Sequence, residues 1–179
     1  DYLDQIKILL KNPKVIALGE IGLDYFKNIS DKKIQKNIFR EQLELAQEIN
    51  VPIVFHNRDS DKDILDTLSK FPDVIGVAHC FSSSYEVAKK LIDMGFYISF
   101  SGNLTFKNSH LPDVAKKLPL NKILVETDSP FLSPVPHRGK VNEPGRTRFV
   151  AELLAKLHGS TINQIASITT NNATNLFNL

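Results

Sequence analysis

The chain has 179 residues, of which 42% are hydrophobic and 23% charged, and its formal net charge is +2. That is enough for one sizeable core and a single domain over residues 1–179, and a pI near 8.6 is not a nucleic-acid-binding signature, so a nucleic-acid substrate has to be argued from a site. The lone cysteine, Cys80, excludes an internal disulfide, and neither a secretory signal nor a run of membrane-spanning length is present, so the expectation is a reducing, cytoplasmic compartment and no membrane partner.

In chain order, Tyr2, Leu3, Ile6, Leu9 and Leu10 form a helical stripe that Pro13 ends, so the chain starts inside a helix with Asp1 in place of Met. Val15 to Gly19 reads as a buried strand ending at Glu20, with Gly19 and Gly22 freeing the backbone around the acid. Ser30 is the expected cap of a helix through Asn50 whose apolar face holds Ile34, Ile38, Leu45 and Ile49. Val51 to Phe55 forms a strand delivering His56. A helix follows, marked by Ile64, Leu65, Leu68 and Phe71, and then a strand, Val74 to Ala78, delivering His79. A helix on Tyr85, Ala88, Leu91 and Ile92 stops at Gly95, before the strand Phe96–Phe100, a short helix over Val114–Leu118 and the strand Ile123–Val125. Two helices close the chain, near Arg148–His158 and Ile162–Phe177.

Continuous apolar strands alternating with amphipathic helices imply parallel βαβ units. Functional residues at the carboxyl ends of several strands are the pattern of a TIM-type (β/α) barrel. About five of the eight strands are countable, and the length is roughly 70 residues short of the typical ~250. No internal repeat, low-complexity tract or linker interrupts the pattern.

The stretch Ile123–Pro144 organises the rest: an apolar strand, then Glu126, Thr127 and Asp128, then a loop broken by prolines. Singly, each candidate has an ordinary explanation. Glu20 suits a solvated loop, His56 and His79 suit structural histidines, and Asp128 suits a turn start. Together, four strands each end in a metal ligand, and in a barrel those ends converge on one mouth. Carboxylate plus imidazole suits Zn, Mn, Fe or Ni, and Mg is admitted where water completes the shell. His137-Arg138-Gly139-Lys140 reads either as an anion grip or as a basic surface loop, and Arg58 has the same two readings. Cys80 is expected to point away from His79 as a small buried hydrophobe, because strand side chains alternate. His110 and His158 are expected at the surface without partners.

The motifs GEIGLDYF (Gly19–Phe26), FHNRD (Phe55–Asp59), HCFSSS (His79–Ser84), YISFSG (Tyr97–Gly102) and ETDSPFLSPVPHRGKVNEP (Glu126–Pro144) resemble, along essentially the whole chain, the TatD family of metal-dependent hydrolases, a deoxyribonuclease branch of the amidohydrolase-type barrels. The resemblance implies two divalent cations, Mg, Mn or Zn, and hydrolysis of DNA phosphodiester bonds with 3′→5′ exonuclease action. It implies that Glu20 bridges the cations, that His56 and His79 complete one site, and that Asp128 binds the other and takes a proton from the attacking water. Arg138 and its loop neighbours His137 and Lys140, with Arg58, would hold the scissile or a flanking phosphate.

Three departures accompany it. Val141 stands where the family has Arg, the run Gly145-Arg146-Thr147-Arg148 differs, with Arg146 or Arg148 as a replacement contact, and no His-x-His pair exists. The expectation is therefore that the first three barrel strands are missing. The chain alone would then bind one cation well, cleave DNA poorly and aggregate, until a segment carrying those strands complements it. Alternatives are a barrel hydrolase of a small amide or ester and a non-catalytic remnant with a binding role.

Overall fold

A computed structural model describes residues 2–27 and 29–179; Asp1 and Asn28 lie outside the described residues. The chain runs α1 (Tyr2–Leu10), β1 (Leu18–Asp24), α2 (Lys32–Ile49), β2 (Ile53–Arg58), α3 (Asp61–Leu68), β3 (Gly76–Ala78), α4 (Tyr85–Asp93), β4 (Tyr97–Phe100), α5 (Leu111–Ala115), β5 (Ile123–Val125), α6 (Thr147–His158) and α7 (Ile162–Phe177). The five strands among the described residues are parallel and lie side by side in sequence order. Sequential parallel order with intervening helices is the arrangement of a TIM-type (β/α) barrel, of which these strands form an arc. No helix among the described residues is long and apolar enough to cross a membrane.

Strand parity sorts the side chains into two layers. Ile53, Phe55, Ile98, Phe100 and Ile123 are fully buried in the main core with the helices. The opposite face begins with a second apolar cluster, in which Val54, Val77, Tyr97 and Leu124 meet Leu176 and Phe177 at the end of α7. Two residues further along the same face come His56 on β2 and, just beyond β3 and β5, His79 and Glu126. One face of the sheet thus changes from an apolar floor to a polar mouth over a single strand repeat.

Several boundaries differ from the sequence expectation. The first strand starts later and runs past Glu20 to Asp24, leaving Val15 and Ile16 exposed ahead of it. Its pairing with β2 skips a residue, Leu18 opposite Ile53 but Ile21 opposite Phe55, and such an extra residue bends a strand and re-aims a side chain, here Glu20. Gly22 holds φ +124°, and a Cβ there would overlap the His56 carbonyl, so the close approach of β1 to β2 requires glycine. Asp31, not Ser30, caps α2, accepting from the Lys33 amide at 2.8 Å. The buried face of α2 is Phe39, Leu43, Leu45 and Ala46, while Ile34, Ile38 and Ile49 are exposed; α2 carries apolar residues on two sides, and β1 covers only one. The helix α5 starts at Leu111, with Pro112 in its first turn, and ends before Leu118.

Candidate metal centre

Glu20, His56 and His79 meet at the mouth, each offering one ligand atom, all within 4.8 Å of one another. His56 Nδ1 is 3.3 Å from Glu20 Oε1, His79 Nε2 is 3.8 Å from the same oxygen, and the two imidazole centroids are 6.4 Å apart. They line a cavity of about 530 Å³ together with Asp24, Lys27, Arg58, Cys80 and Asp128. The four residues expected to converge therefore share one mouth.

The donor set fits a divalent cation. One carboxylate, a hard ligand, and two imidazoles, borderline ones, are of the types such ions take. The buried Nε2 of His56 has no hydrogen-bond partner among the described residues, and Asp24 Oδ2 is 3.6 Å from it. The remaining nitrogen of His79 is committed: Nδ1 lies 3.0 and 3.1 Å from the Glu126 oxygens, and Glu126 Oε1 also accepts from the Cys80 amide at 2.6 Å. A carboxylate on one imidazole nitrogen fixes the tautomer and leaves the other nitrogen as a ligand. Sequence reasoning passed over Glu126, although its spacing of two from Leu124 and from Asp128 puts it on the mouth face.

Two pKa values report the same crowding. Burial pulls the His79 imidazole down, but its bond to Glu126 and the nearby Glu20 and Asp128 charges outweigh that, and the net shift is upward from 6.5. Burial raises the Asp128 carboxyl above 3.8, opposed by His79 and reinforced by Glu126 and Glu20. A carboxylate held at a raised pKa is a better proton acceptor.

The mouth loops are held from behind. Asn57 Nδ2 donates to Asp61 Oδ1 at 2.6 Å and to Ser83 Oγ at 3.2 Å, while Ser60 Oγ donates to Asn57 Oδ1 at 2.7 Å and also reaches the Leu23 carbonyl. This network joins β1, β2, α3 and the loop after β3 beneath the histidines. Asp24 Oδ1 accepts the Phe26 and Lys27 amides, turning the chain so that Lys27 lines the cavity. The Arg58 guanidinium lies 3.9 Å from the Phe26 ring centroid, at the cavity wall.

Other expectations are corrected. Cys80 does not turn away from His79: it has left the strand with φ +47°, so alternation no longer applies, and it lines the same cavity. Its thiol is 3.0 Å from Ser101 Oγ, and burial pushes its pKa up to about 12, which removes it as a thiolate. Arg146 does not replace a phosphate contact, because its Nη1 binds Ser133 Oγ and the Val141 carbonyl and its Nε is 3.3 Å from Glu143. Arg148 pairs with Glu152 at 2.7 Å along α6. His110 and His158 have partners after all, the Ser83 and Ala115 carbonyls. In the basic loop, His137 packs against Phe149 with centroids 5.1 Å apart, and it and Lys140 lie outside the cavity, as does Arg138, which stacks on Phe106.

A parallel barrel arc with a candidate divalent-cation group on its polar mouth places the chain among metal-site (β/α) barrels. A family model described as TatD related DNase matches residues 1–178. YabD of Bacillus subtilis, named an uncharacterized metal-dependent hydrolase, is 49% identical over 177 residues, which cover 97% of this chain and 69% of that protein. A Salmonella typhimurium protein named 3′-5′ ssDNA/RNA exonuclease TatD is 32% identical over 182 residues, covering 97% of this chain and 70% of that one. The crystal structure of YJJV, a TatD homolog from Escherichia coli, is similar with a TM-score of 0.92 at 32% identity, over 99% of this chain and 70% of that one. The chain belongs to the TatD family of metal-dependent hydrolases.

Proposed function

We propose that this mouth hydrolyses DNA phosphodiester bonds from the 3′ end, using a divalent cation, Mg, Mn or Zn, held by Glu20, His56 and His79. The observation that carries the reading is one cavity that joins this ligand group to an acid with a raised pKa, Asp128, and to two cations, Arg58 and Lys27. A relative named as a 3′-5′ ssDNA/RNA exonuclease supports it. The bound cation supplies a lowered water pKa and offsets phosphate charge.

The chain's own groups do the rest. Asp128 takes the proton from the attacking water. Arg58, laid flat on Phe26, offers its planar fork to the scissile phosphate, and Glu126 keeps His79 in the ligating tautomer. In the same reading Asp128, with Glu20, would hold a second cation. With no His-x-His pair in the sequence, these residues hold it less firmly than the first, and the chain alone turns DNA over slowly. The outer edge of β1 has no strand partner among the described residues, and there a segment carrying further barrel strands would pair. The cytosol is the compartment this reading takes.

The test is cation stoichiometry with and without that segment, scored beside hydrolysis of single-stranded DNA, bis(p-nitrophenyl) phosphate and an ester panel. One tightly bound cation, cleavage of the diesters, and loss of turnover without loss of the cation in Asp128→Asn are expected. Turnover of carboxylic esters or amides alone would overturn the reading.

A further inference from the structure

One nitrogen of His56 faces the ligand group and the other does not. Nδ1 lies 3.3 Å from Glu20 Oε1, and His79 Nε2 lies 3.8 Å from the same oxygen, so a cation beside that oxygen takes His56 through Nδ1. The ring's proton then sits on Nε2. That atom is buried and has no hydrogen-bond partner among the described residues, whereas buried N–H groups in folded proteins find an acceptor. The group facing it is the Asp24 carboxylate, with Oδ2 3.6 Å away.

Asp24 is anchored on every side but that one. Its Oδ1 accepts the Phe26 and Lys27 amides at 3.0 Å each, which leaves Oδ2 as the oxygen turned to the ring. Its backbone N–H donates to Gln35 Oε1 at 2.9 Å and its carbonyl accepts from Gln35 Nε2 at 3.2 Å, so one side chain of α2 grips the end of β1 twice. The Tyr25 amide donates to the Arg58 carbonyl at 2.9 Å and fixes that end of β1 against the end of β2. Gly22, opposite His56 in the register, has no side chain, and Leu23 is buried in the core. Asp24 is therefore the next residue of β1 to face the mouth.

We infer that Asp24 is a positioning residue for His56, accepting its Nε2–H and holding the imidazole with Nδ1 toward the cation. Glu126 does the converse for His79, from Nδ1, so the two imidazoles present opposite nitrogens and each is backed by its own carboxylate. The 3.6 Å separation is beyond hydrogen-bond length; the bond closes when ligation at Nδ1 leaves Nε2 as the ring's one N–H. The inference rests on His56 as a cation ligand and is independent of what the mouth hydrolyses.

The experiment uses Asp24→Asn on the full chain, with Zn²⁺ alone as the probe. Asparagine keeps its oxygen on the Phe26 and Lys27 amides, which only donate, and turns its NH₂ to His56 Nε2. Nε2 must then accept, the proton moves to Nδ1, and that ligand is lost. Isothermal titration is expected to show Zn²⁺ affinity lowered about 10–100-fold. Asp24→Ser keeps an acceptor for the turn but no carboxylate for the ring, and stays as weak; Asp24→Glu, with a carboxylate again, recovers part of the loss. In ¹⁵N NMR the Zn²⁺-loaded wild type shows His56 metallated at Nδ1 and protonated at Nε2, a result that decides the point even where a variant does not fold. Metallation at Nε2, or wild-type affinity in Asp24→Ser, would overturn the inference and leave the cation site standing. If Asp24→Asn weakens Zn²⁺ while the neutral, cation-free His56 keeps its tautomer, Asp24 is itself a ligand and the positioning role falls. A wild type that binds no Zn²⁺ would overturn the ligand reading beneath it.

Discussion

Glu126→Gln isolates the tautomer argument. Glu126 accepts twice, from the Cys80 amide at 2.6 Å and from His79 Nδ1 at 3.0–3.1 Å. Glutamine keeps the shape but has one acceptor and one NH₂ donor. Its oxygen stays on the Cys80 amide, whose donor has no alternative tautomer, so the NH₂ faces His79 Nδ1 and demands that Nδ1 accept. The proton then moves to Nε2, the nitrogen turned toward Glu20 at 3.8 Å, and that nitrogen no longer ligates. Loss of such an outer partner costs about 10–100-fold in metal affinity, or about 1.4–2.7 kcal/mol. Isothermal titration with Zn²⁺ and Mn²⁺ measures it, and ¹⁵N NMR of the histidines reads the tautomer in the cation-free protein. An unchanged Kd with His79 still protonated at Nδ1 would refute the reasoning.

Other outcomes follow from the same geometry. In cation-free protein His79 and Asp128 are both raised, so each favours the fold when protonated. Their contributions are complete below the unfolded values near 6.5 and 3.8 and fade as pH rises through the folded ones. Tm in chelator should therefore be higher at pH 6 than at pH 8.5, and His79→Asn should shrink that difference. Cation affinity should show the opposite trend, weakening on acidification because protons compete for the ligands. Saturating cation, at about a hundred times its Kd, should stabilise the fold by about 2.7 kcal/mol, read as a rise in Tm that His79→Ala abolishes. Gly22→Ala should cost at least about 1–3 kcal/mol from its positive φ, and more from overlap with the His56 carbonyl; chemical denaturation checks this, and wild-type stability would contradict the close approach of β1 and β2.

By itself the sequence determined the order of elements, the parallel class and the convergence of Glu20, His56, His79 and Asp128 on one cavity. Short apolar runs ending in acids and histidines leave little choice about which end of a strand is polar, and the run of motifs carried the family. Tertiary structure decided what depends on contacts distant in the chain. The bulge that turns Glu20 inward appears only against β2, and Glu126 becomes a partner of His79 only because β3 and β5 ends, 47 residues apart, share a mouth. Cys80 is placed by a local positive φ that strand alternation cannot foresee. The face of α2 that is buried is chosen by β1, since both sides of that helix are apolar. Periodicity reports what each segment prefers to bury, and only packing selects the surface that meets it.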